Sequence, residues 1–241
     1  MLQRDVLEFG DVLSSDFGVY ILGGRLNDMP ERDIEMISIP GRNGDVHFDN
    51  GRYKNIIVSY TCAIVKDADF SLEAFVAAIS SQTGYQRLED SLHPEYYRIA
   101  AFTGQVTPTM SRKRNKGIFE IQFDCKPQKY LKIGEEEISM SGSGNKLYNP
   151  TRFDSKPLIT ISGTSTGAIT INGTQVTIAS NPGNFVIDCE LEDAYSSYSS
   201  ANYNSYVTLS GNDFPALTPG ENTIGTTNSM AITVMPRWWT I

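Results

Sequence analysis

The segment from Ile56 to Ile64 restricts the fold of this chain more than any other: Ile56, Val58, Tyr60, Cys62 and Ile64 alternate with Ile57, Ser59, Thr61 and Ala63. A period of two sends alternate side chains to opposite faces, so the segment is a strand with one buried and one wetter face. Tight turns feed it. In Ile39-Pro40-Gly41-Arg42-Asn43-Gly44-Asp45, glycine tolerates positive φ and proline presets its own, so the Pro-Gly and Asn-Gly pairs each bend the chain. Asp49-Asn50-Gly51 reads as a further turn. A second strand of the same kind has Phe119, Ile121, Phe123 and Cys125 on one face and Glu120, Gln122 and Asp124 on the other. Neither strand carries a group poised for chemistry.

The 241 residues suffice for one large domain or two ordinary ones. A composition of 40% hydrophobic and 20% charged residues fits a folded, β-rich protein and excludes a disordered one. No apolar run approaches the ~20 residues of a membrane helix, so no membrane insertion is expected. Met1 to Glu8 mixes charges into its apolar positions, unlike a secretion signal, so folding in a cytosol is expected. A net charge of −8 argues against duplex nucleic-acid binding, which needs a basic surface. Cys62, Cys125 and Cys189 cannot all pair and lack metal-binding spacing; each falls on an alternating strand, so all three are expected as free, buried thiols.

The flexible, small residues of Ser139-Met140-Ser141-Gly142-Ser143-Gly144-Asn145 divide the chain, giving an N-terminal domain over 1–138, a linker over 139–157 and a C-terminal domain over 158–241. The first domain carries strands near 34–39, 56–65, 96–102 and 117–125 and one helix. Ser71 reads as the helix N-cap, Leu72, Phe75, Val76 and Ile79 form its apolar stripe, Gly84 follows its end, and Phe70 with Phe75 forms a hydrophobic staple. One helix among antiparallel strands means an α+β domain. The second domain is all strand and turn, near 158–162, 168–171, 176–178, 185–191, 206–209, 223–224 and 230–235. Asn172-Gly173 is a strong hairpin turn, and the short strands at regular spacing predict a β-sandwich. The chain is therefore mainly β.

Catalytic signatures are sparse. Asp45, His47 and Asp49 share one strand face, a geometry compatible with acid-base work or a metal but read as a hydrated turn. His93-Pro94 reads as a connection, and phosphate-loop, nucleophile-elbow and zinc-protease motifs are missing. No enzyme activity, cofactor or metal is expected. Binding features are more visible: Tyr195, Tyr198 and Tyr203 lie in a Tyr/Ser/Asn-rich segment of the composition that makes adaptable contact surfaces. Trp238-Trp239 reads as one ring packed inward and one covering a sheet edge, with sugar stacking as the other use. Between Pro108 and Gly117, Arg112, Lys113, Arg114 and Lys116 crowd the tip of a candidate hairpin.

Several marks in a fixed order carry a resemblance. They are Ile39 to Asp45 followed by Tyr53-Lys54-Asn55; Asn149-Pro150-Thr151-Arg152-Phe153-Asp154-Ser155-Lys156-Pro157 leading into Ile159 to Gly163; Ile187-Asp188-Cys189-Glu190; Leu217 to Ile224; and Pro236-Arg237-Trp238. Together they resemble the distal tail proteins of long-tailed, non-contractile (siphovirus-type) bacteriophages over nearly the whole chain. The resemblance implies a ring-forming N-terminal domain, a galectin-like C-terminal β-sandwich and no enzymatic activity. It also implies a homohexameric hub, as one ring or stacked rings, in the distal tail of the virion, made and assembled in the bacterial host cytoplasm. Implied partners are the tail tube protein, a tail-tip adhesion or tail-associated protein, and a receptor-binding protein. The competing readings are a carbohydrate-binding adhesin using the C-terminal sandwich, and a hydrolase built around Asp45, His47 and Asp49.

A ring needs two complementary surfaces per subunit. The basic Arg112 to Lys116 tip is expected to reach a neighbouring subunit's acidic stretch, such as Glu135-Glu136-Glu137. Replacing Arg112, Lys113 and Arg114 with Ser should weaken assembly and flatten its salt dependence in sedimentation runs; identical assembly at every salt concentration would remove this tip from the interface.

Overall fold

A computed structural model describes residues 4–22, 29–65, 67–104, 106–111, 116–199, 201–228 and 230–241. The chain forms two compact units, Met1–Lys129 together with Ile241, and Tyr130–Thr240. It is mainly β, with one α-helix among the described residues.

The first unit contains β1 (Leu7–Phe9), β2 (Val12–Leu13), β3 (Val19–Ile21), β4 (Arg32–Ile37), β5 (Val46–Tyr53), β6 (Ile56–Ile64), α1 (Ala68–Ser81), β7 (Gln86–Asp90), β8 (Tyr96–Ala101), β9 (Thr107–Ser111) and most of β10 (Lys116–Leu131). A large sheet runs in the order β2-β1-β7-β8-β10-β6-β3, with β9 also pairing β10; β4 and β5 pair only as a separate ribbon. The register of β6 on β10 runs from Gly117 opposite Ile64 to Cys125 opposite Ile56. It stacks Cys62 on Phe119, Tyr60 on Ile121 and Val58 on Phe123, all of them buried. Phe123 sits at the centre of an aromatic cluster, its ring centroid 4.9 Å from Phe9, 5.8 Å from Phe102 and 6.1 Å from Tyr60.

α1 closes this core with the stripe the sequence predicts, Leu72, Phe75 and Ile79 being buried and Val76 partly so. Its start differs from the expected cap. Asp67, in the left-handed region, is the N-cap residue, and the Ser71 amide donates to the Asp67 carbonyl at 2.8 Å as part of the helix. Phe70 is then two residues from Leu72, about 200° around the helix, so it points to solvent at 77% exposure and forms no staple with Phe75. The strand expected to end at Cys125 continues to Leu131 through Pro127. Cys125 is the last residue paired to β6, so Pro127 costs no donor on that side.

The second unit contains β11 (Ile138–Met140), β12 (Asn145–Asn149), β13 (Leu158–Ile161), β14 (Gly167–Ile171), β15 (Thr174–Ile178), β16 (Phe185–Asp188), β17 (Asp193–Ser196), β18 (Val207–Leu209), β19 (Gly220–Thr226), β20 (Ile232–Met235) and β21 (Trp239–Thr240). Two five-stranded sheets, ordered β11-β20-β13-β16-β17 and β12-β19-β14-β15-β18, share one core. Ile159, Ile187, Val234 and Phe185 come from one sheet and Ile169, Ile171, Val176 and Ile224 from the other, all buried. This is a β-sandwich. Its Asn172-Gly173 hairpin has the expected paired positive φ values, 49° and 90°, with Ile171 opposite Thr174.

The segment 139–157, expected as a linker, contributes β12 and the end of β11 to the two sheets, and the compact units divide earlier, at Lys129/Tyr130. Its small residues are tied rather than loose: the Gly142 amide donates to Thr226 Oγ1 at 2.9 Å, and the Thr226 amide donates back to the Gly142 carbonyl at 2.8 Å. The recurrent Asn-rich turns are also locks. Buried Asn222 donates to the carbonyls of Thr218 and Gly220 at 2.8 and 3.0 Å and accepts from Asn172 at 2.6 Å. Buried Asn149 donates to the Phe153 and Leu217 carbonyls at 2.9 and 3.0 Å.

A charged lock joins β16 to the chain after β20. Arg237 Nη1 and Nη2 donate to Asp188 Oδ1 and Oδ2 at 2.7 and 2.9 Å, and the Asp188 side chain is only 4% exposed. Burial alone would raise the Asp188 carboxyl, but Arg237 and the amides of Leu191 and Glu190 outweigh it and hold it below the usual carboxylate range. Asp188 therefore contributes stability above its unfolded value, near pH 4, and that contribution fades as pH falls through its lower folded value. Arg237→Met should cost about 3 kcal/mol at pH 7. In urea unfolding, the difference from wild type should shrink below pH 4; a difference independent of pH would contradict this lock.

Candidate assembly surface

The β4–β5 ribbon stands apart from the rest of its unit in one respect: its side chains are mostly in solvent. Ile37 lies opposite Val46, Met36 opposite His47, and Glu35 opposite Phe48. Cross-strand partners share a face, so Ile37, Val46 and Phe48 line one side with Glu35, while Ile34, Met36, His47 and Asp49 line the other. Met36 is 61% and Phe48 54% exposed, and Ile37 and Ile39 continue the apolar surface toward the turn. An isolated two-stranded ribbon is marginal in water, and clustered exposed apolar side chains mark a surface that another body covers.

Charged pairs hold the ribbon's base. Arg32 Nε contacts both carboxylate oxygens of Asp49, at 3.0 and 2.9 Å, and its guanidinium lies 4.9 Å from the Tyr53 ring. Arg52 Nε donates to Asp33 at 2.7 Å. Such exposed pairs add little stability individually. The Gly51 amide and Arg32 hold the Asp49 carboxyl below its ordinary value. The expected turn at Asp49-Asn50-Gly51 is an irregularity inside β5, where the pairing shifts between Arg32 and Ile34 and Gly51 adopts φ 72°.

This disposes of the Asp45, His47 and Asp49 grouping as a cleft. Asp49 is engaged by Arg32, and all three lie on an exposed ribbon or its turn. Among the described residues no cluster of His, Cys, Asp and Glu is arranged to hold a metal ion. The three cysteines are free and buried, and burial pushes the Cys62 and Cys189 thiols up to about 12.

The tyrosines do not form one face. Tyr198 is 89% exposed, Tyr195 is half-buried on β17 opposite Val186, and Tyr203 packs inward, 5.1 Å from Phe185 and 5.6 Å from Tyr206. Trp238 is buried in the sandwich core, and Trp239 stacks on Phe153 at 4.3 Å while its Nε1 donates to the Asp154 carbonyl at 2.9 Å. Arg112, Lys113 and Arg114 lie outside the described residues; Lys116 opens β10 opposite Ser111. Sequence reading overlooked Met36, Ile37 and Phe48, although their mixture of apolar and charged neighbours on a Gly-punctuated ribbon was the available signal.

No family model matches the sequence, and no curated protein matches it. Solved structures do. The SPP1 Dit protein, described as a paradigm of the hub adsorption apparatus in phages infecting Gram-positive hosts, superposes with TM-score 0.72 at 10% identity over 99% of this chain and 100% of its own. The fold of this chain is that of the SPP1 Dit protein. Chains of the phage P2 baseplate in its activated conformation, with Ca and with Sr, match at TM-scores 0.51 and 0.50 and 11% identity, covering 97% and 96% of this chain and 98% and 97% of theirs. The likeness therefore includes both the ribbon-bearing unit and the sandwich.

Since Phe48 is exposed, Phe48→Ser should leave the stability of the dilute, unassembled chain within about 0.5 kcal/mol in thermal melts. A loss of several kcal/mol would show that Phe48 serves the fold instead of an intermolecular contact.

Proposed function

We propose that this chain is a structural distal tail protein of a siphovirus-type phage, a hub that forms a homohexameric ring and joins the tail tube to the host-adhesion device. The single observation that carries this reading is the correspondence with the SPP1 Dit hub protein, which covers 99% of this chain and 100% of that one. The ring contacts are assigned to the first unit, whose ribbon supplies exposed apolar side chains on both faces, Ile37 and Phe48 on one and Met36 on the other, that neighbours would cover. The basic tip at Arg112, Lys113, Arg114 and Lys116 supplies charge for the same assembly. A tail-associated or receptor-binding protein would dock on the hub. Its role is structural, in the virion, following assembly in the host cytoplasm.

The adhesin alternative draws on the Tyr-rich segment and the tryptophans. Trp238 is in the core, Trp239 is already stacked on Phe153, Tyr203 packs on Phe185 and Tyr195 is half-buried, which leaves Tyr198 as the one fully exposed ring among them. One ring is a poor platform for a sugar, so the hub reading is preferred.

The experiment pairs Met36→Asp with Phe48→Asp in one variant. Two carboxylates on opposite faces of an exposed ribbon are tolerated by the isolated chain but not beneath a neighbour. The variant should fold with an unchanged circular dichroism spectrum and lose its rings in negative-stain images. Rings identical to wild type would place the subunit contacts elsewhere.

A further inference from the structure

The chain contains three Asn-Gly pairs, Asn43-Gly44, Asn50-Gly51 and Asn172-Gly173. This dipeptide has a chemistry of its own. The asparagine Cγ lies within reach of the next residue's backbone nitrogen, and a glycine there, having no side chain, leaves that nitrogen open to attack it. The two atoms meet only where nothing else holds them, and the three pairs are held differently.

Asn172 is clamped. Its Nδ2 donates to Asn222 Oδ1 at 2.6 Å, its Oδ1 accepts from the Thr223 amide at 3.0 Å, and its own amide donates to the Thr223 carbonyl at 3.0 Å. At Asn50-Gly51 the nucleophile itself is engaged. The Gly51 amide donates to Asp49 Oδ1 at 2.8 Å, beside a carboxylate that disfavours a second negative charge, and Asn50 Nδ2 reaches Glu35 Oε1 at 3.4 Å. Asn43-Gly44, in the turn joining β4 to β5, has neither restraint. Every residue from Ile39 to Asp45 is exposed, and among the described residues none hydrogen-bonds to the Asn43 side chain or the Gly44 amide. Gly44 stands at φ 79°, with open space within 4 Å of the place a Cβ would take, so the Asn43 side chain swings over the Gly44 nitrogen unobstructed.

We propose that Asn43-Gly44 is a site of spontaneous covalent self-modification. The Gly44 nitrogen loses its proton to solvent base and attacks Asn43 Cγ. The N–Cγ bond forms, the Cγ–Nδ2 bond breaks, and Nδ2 takes up a proton and leaves as ammonia, closing a five-membered succinimide. One water then opens the ring at either carbonyl, leaving aspartate or isoaspartate at position 43. Water is the only co-reactant, and nothing is oxidised or reduced. Conversion adds one negative charge to a chain already at −8, and the isoaspartate route also lengthens the backbone of the turn by one carbon. Both changes fall at the end of the ribbon, beside the exposed Ile37 and Ile39. The site does not depend on the hub reading, since a lone subunit contains all of it.

The test is incubation of the full chain, folded and kept dilute, in mildly alkaline buffer made with heavy-oxygen water, with each Asn-Gly peptide followed by mass spectrometry. A parallel sample is incubated in urea. In the folded chain Asn43 should convert at least about tenfold faster than Asn50 or Asn172, because freeing either of those costs on the order of one net hydrogen bond before the ring can close. Its product should carry one heavy oxygen taken from the water. In urea the three rates should converge, and Asn43→Gln should remove the product at position 43 while leaving the other two pairs as they were. Conversion of Asn43 no faster than that of Asn172 in the folded chain would overturn the site. So would a rate ratio that persists unchanged in urea, since the fold would then have no part in it.

Discussion

The first unit depends on the pairing of β6 with β10. From Ile56 to Ile64 and from Gly117 to Cys125 the two strands keep one uninterrupted register, and every second residue on each enters the same core. A slip of one residue would turn Phe119, Ile121 and Phe123 to solvent and drive Glu120, Gln122 and Asp124 inward, a loss no local adjustment could offset. With this register fixed, the positions of α1, the Phe9–Phe123 contact and the Tyr60–Asp90 hydrogen bond follow. The outer face keeps its polar character, with Ile57 and Ile118 as isolated exposed apolar residues.

The sandwich solves a different problem. Many of its strands are short, and β16 is buried on both faces, so hydrophobic alternation alone does not hold the turns. Side-chain hydrogen bonds do. Asn149, Asn222, Ser155 and the Asp188–Arg237 pair are polar groups inside the sandwich that find their partners among backbone groups and neighbouring polar side chains, the condition under which such groups are tolerated inside. Gly134 contributes by its lack of a side chain, because a Cβ there would collide with the Trp238 amide nitrogen and come within 3.1 Å of its Cα and Cβ. The family-like marks at 149–157, 217–224 and 236–238 thus coincide with the turn locks, which explains why they are recognisable in sequence without containing any catalytic group.

What the sequence made legible follows the strength of periodicity. The alternation at 56–64 and 119–125, the helix stripe at Leu72, Phe75, Val76 and Ile79, and the Asn172-Gly173 hairpin all signal local structure directly. β5 was hidden because its residues, Val46 to Tyr53, are charged, exposed and interrupted by Asn50-Gly51, all features of a loop. The segment 139–157 was hidden for a related reason: Ser and Gly suggest flexibility unless long-range partners such as Thr226 are known. The pocket that Tyr60, Asp90, Arg98 and Lys129 line could not be read at all, since these residues meet only through the sheet order. The ribbon's apolar residues were visible as letters but not as exposed, because exposure is a property of the assembled unit.

The central claim is that this fold serves as a ring subunit, and the most direct measurement is absolute mass by light scattering across a concentration series. The account predicts a discrete species at six times the 26.7 kDa chain mass, or twice that for stacked rings, dissociating on dilution. A monomer at every concentration, in the presence of tail tube and adhesion proteins as well as alone, would contradict it.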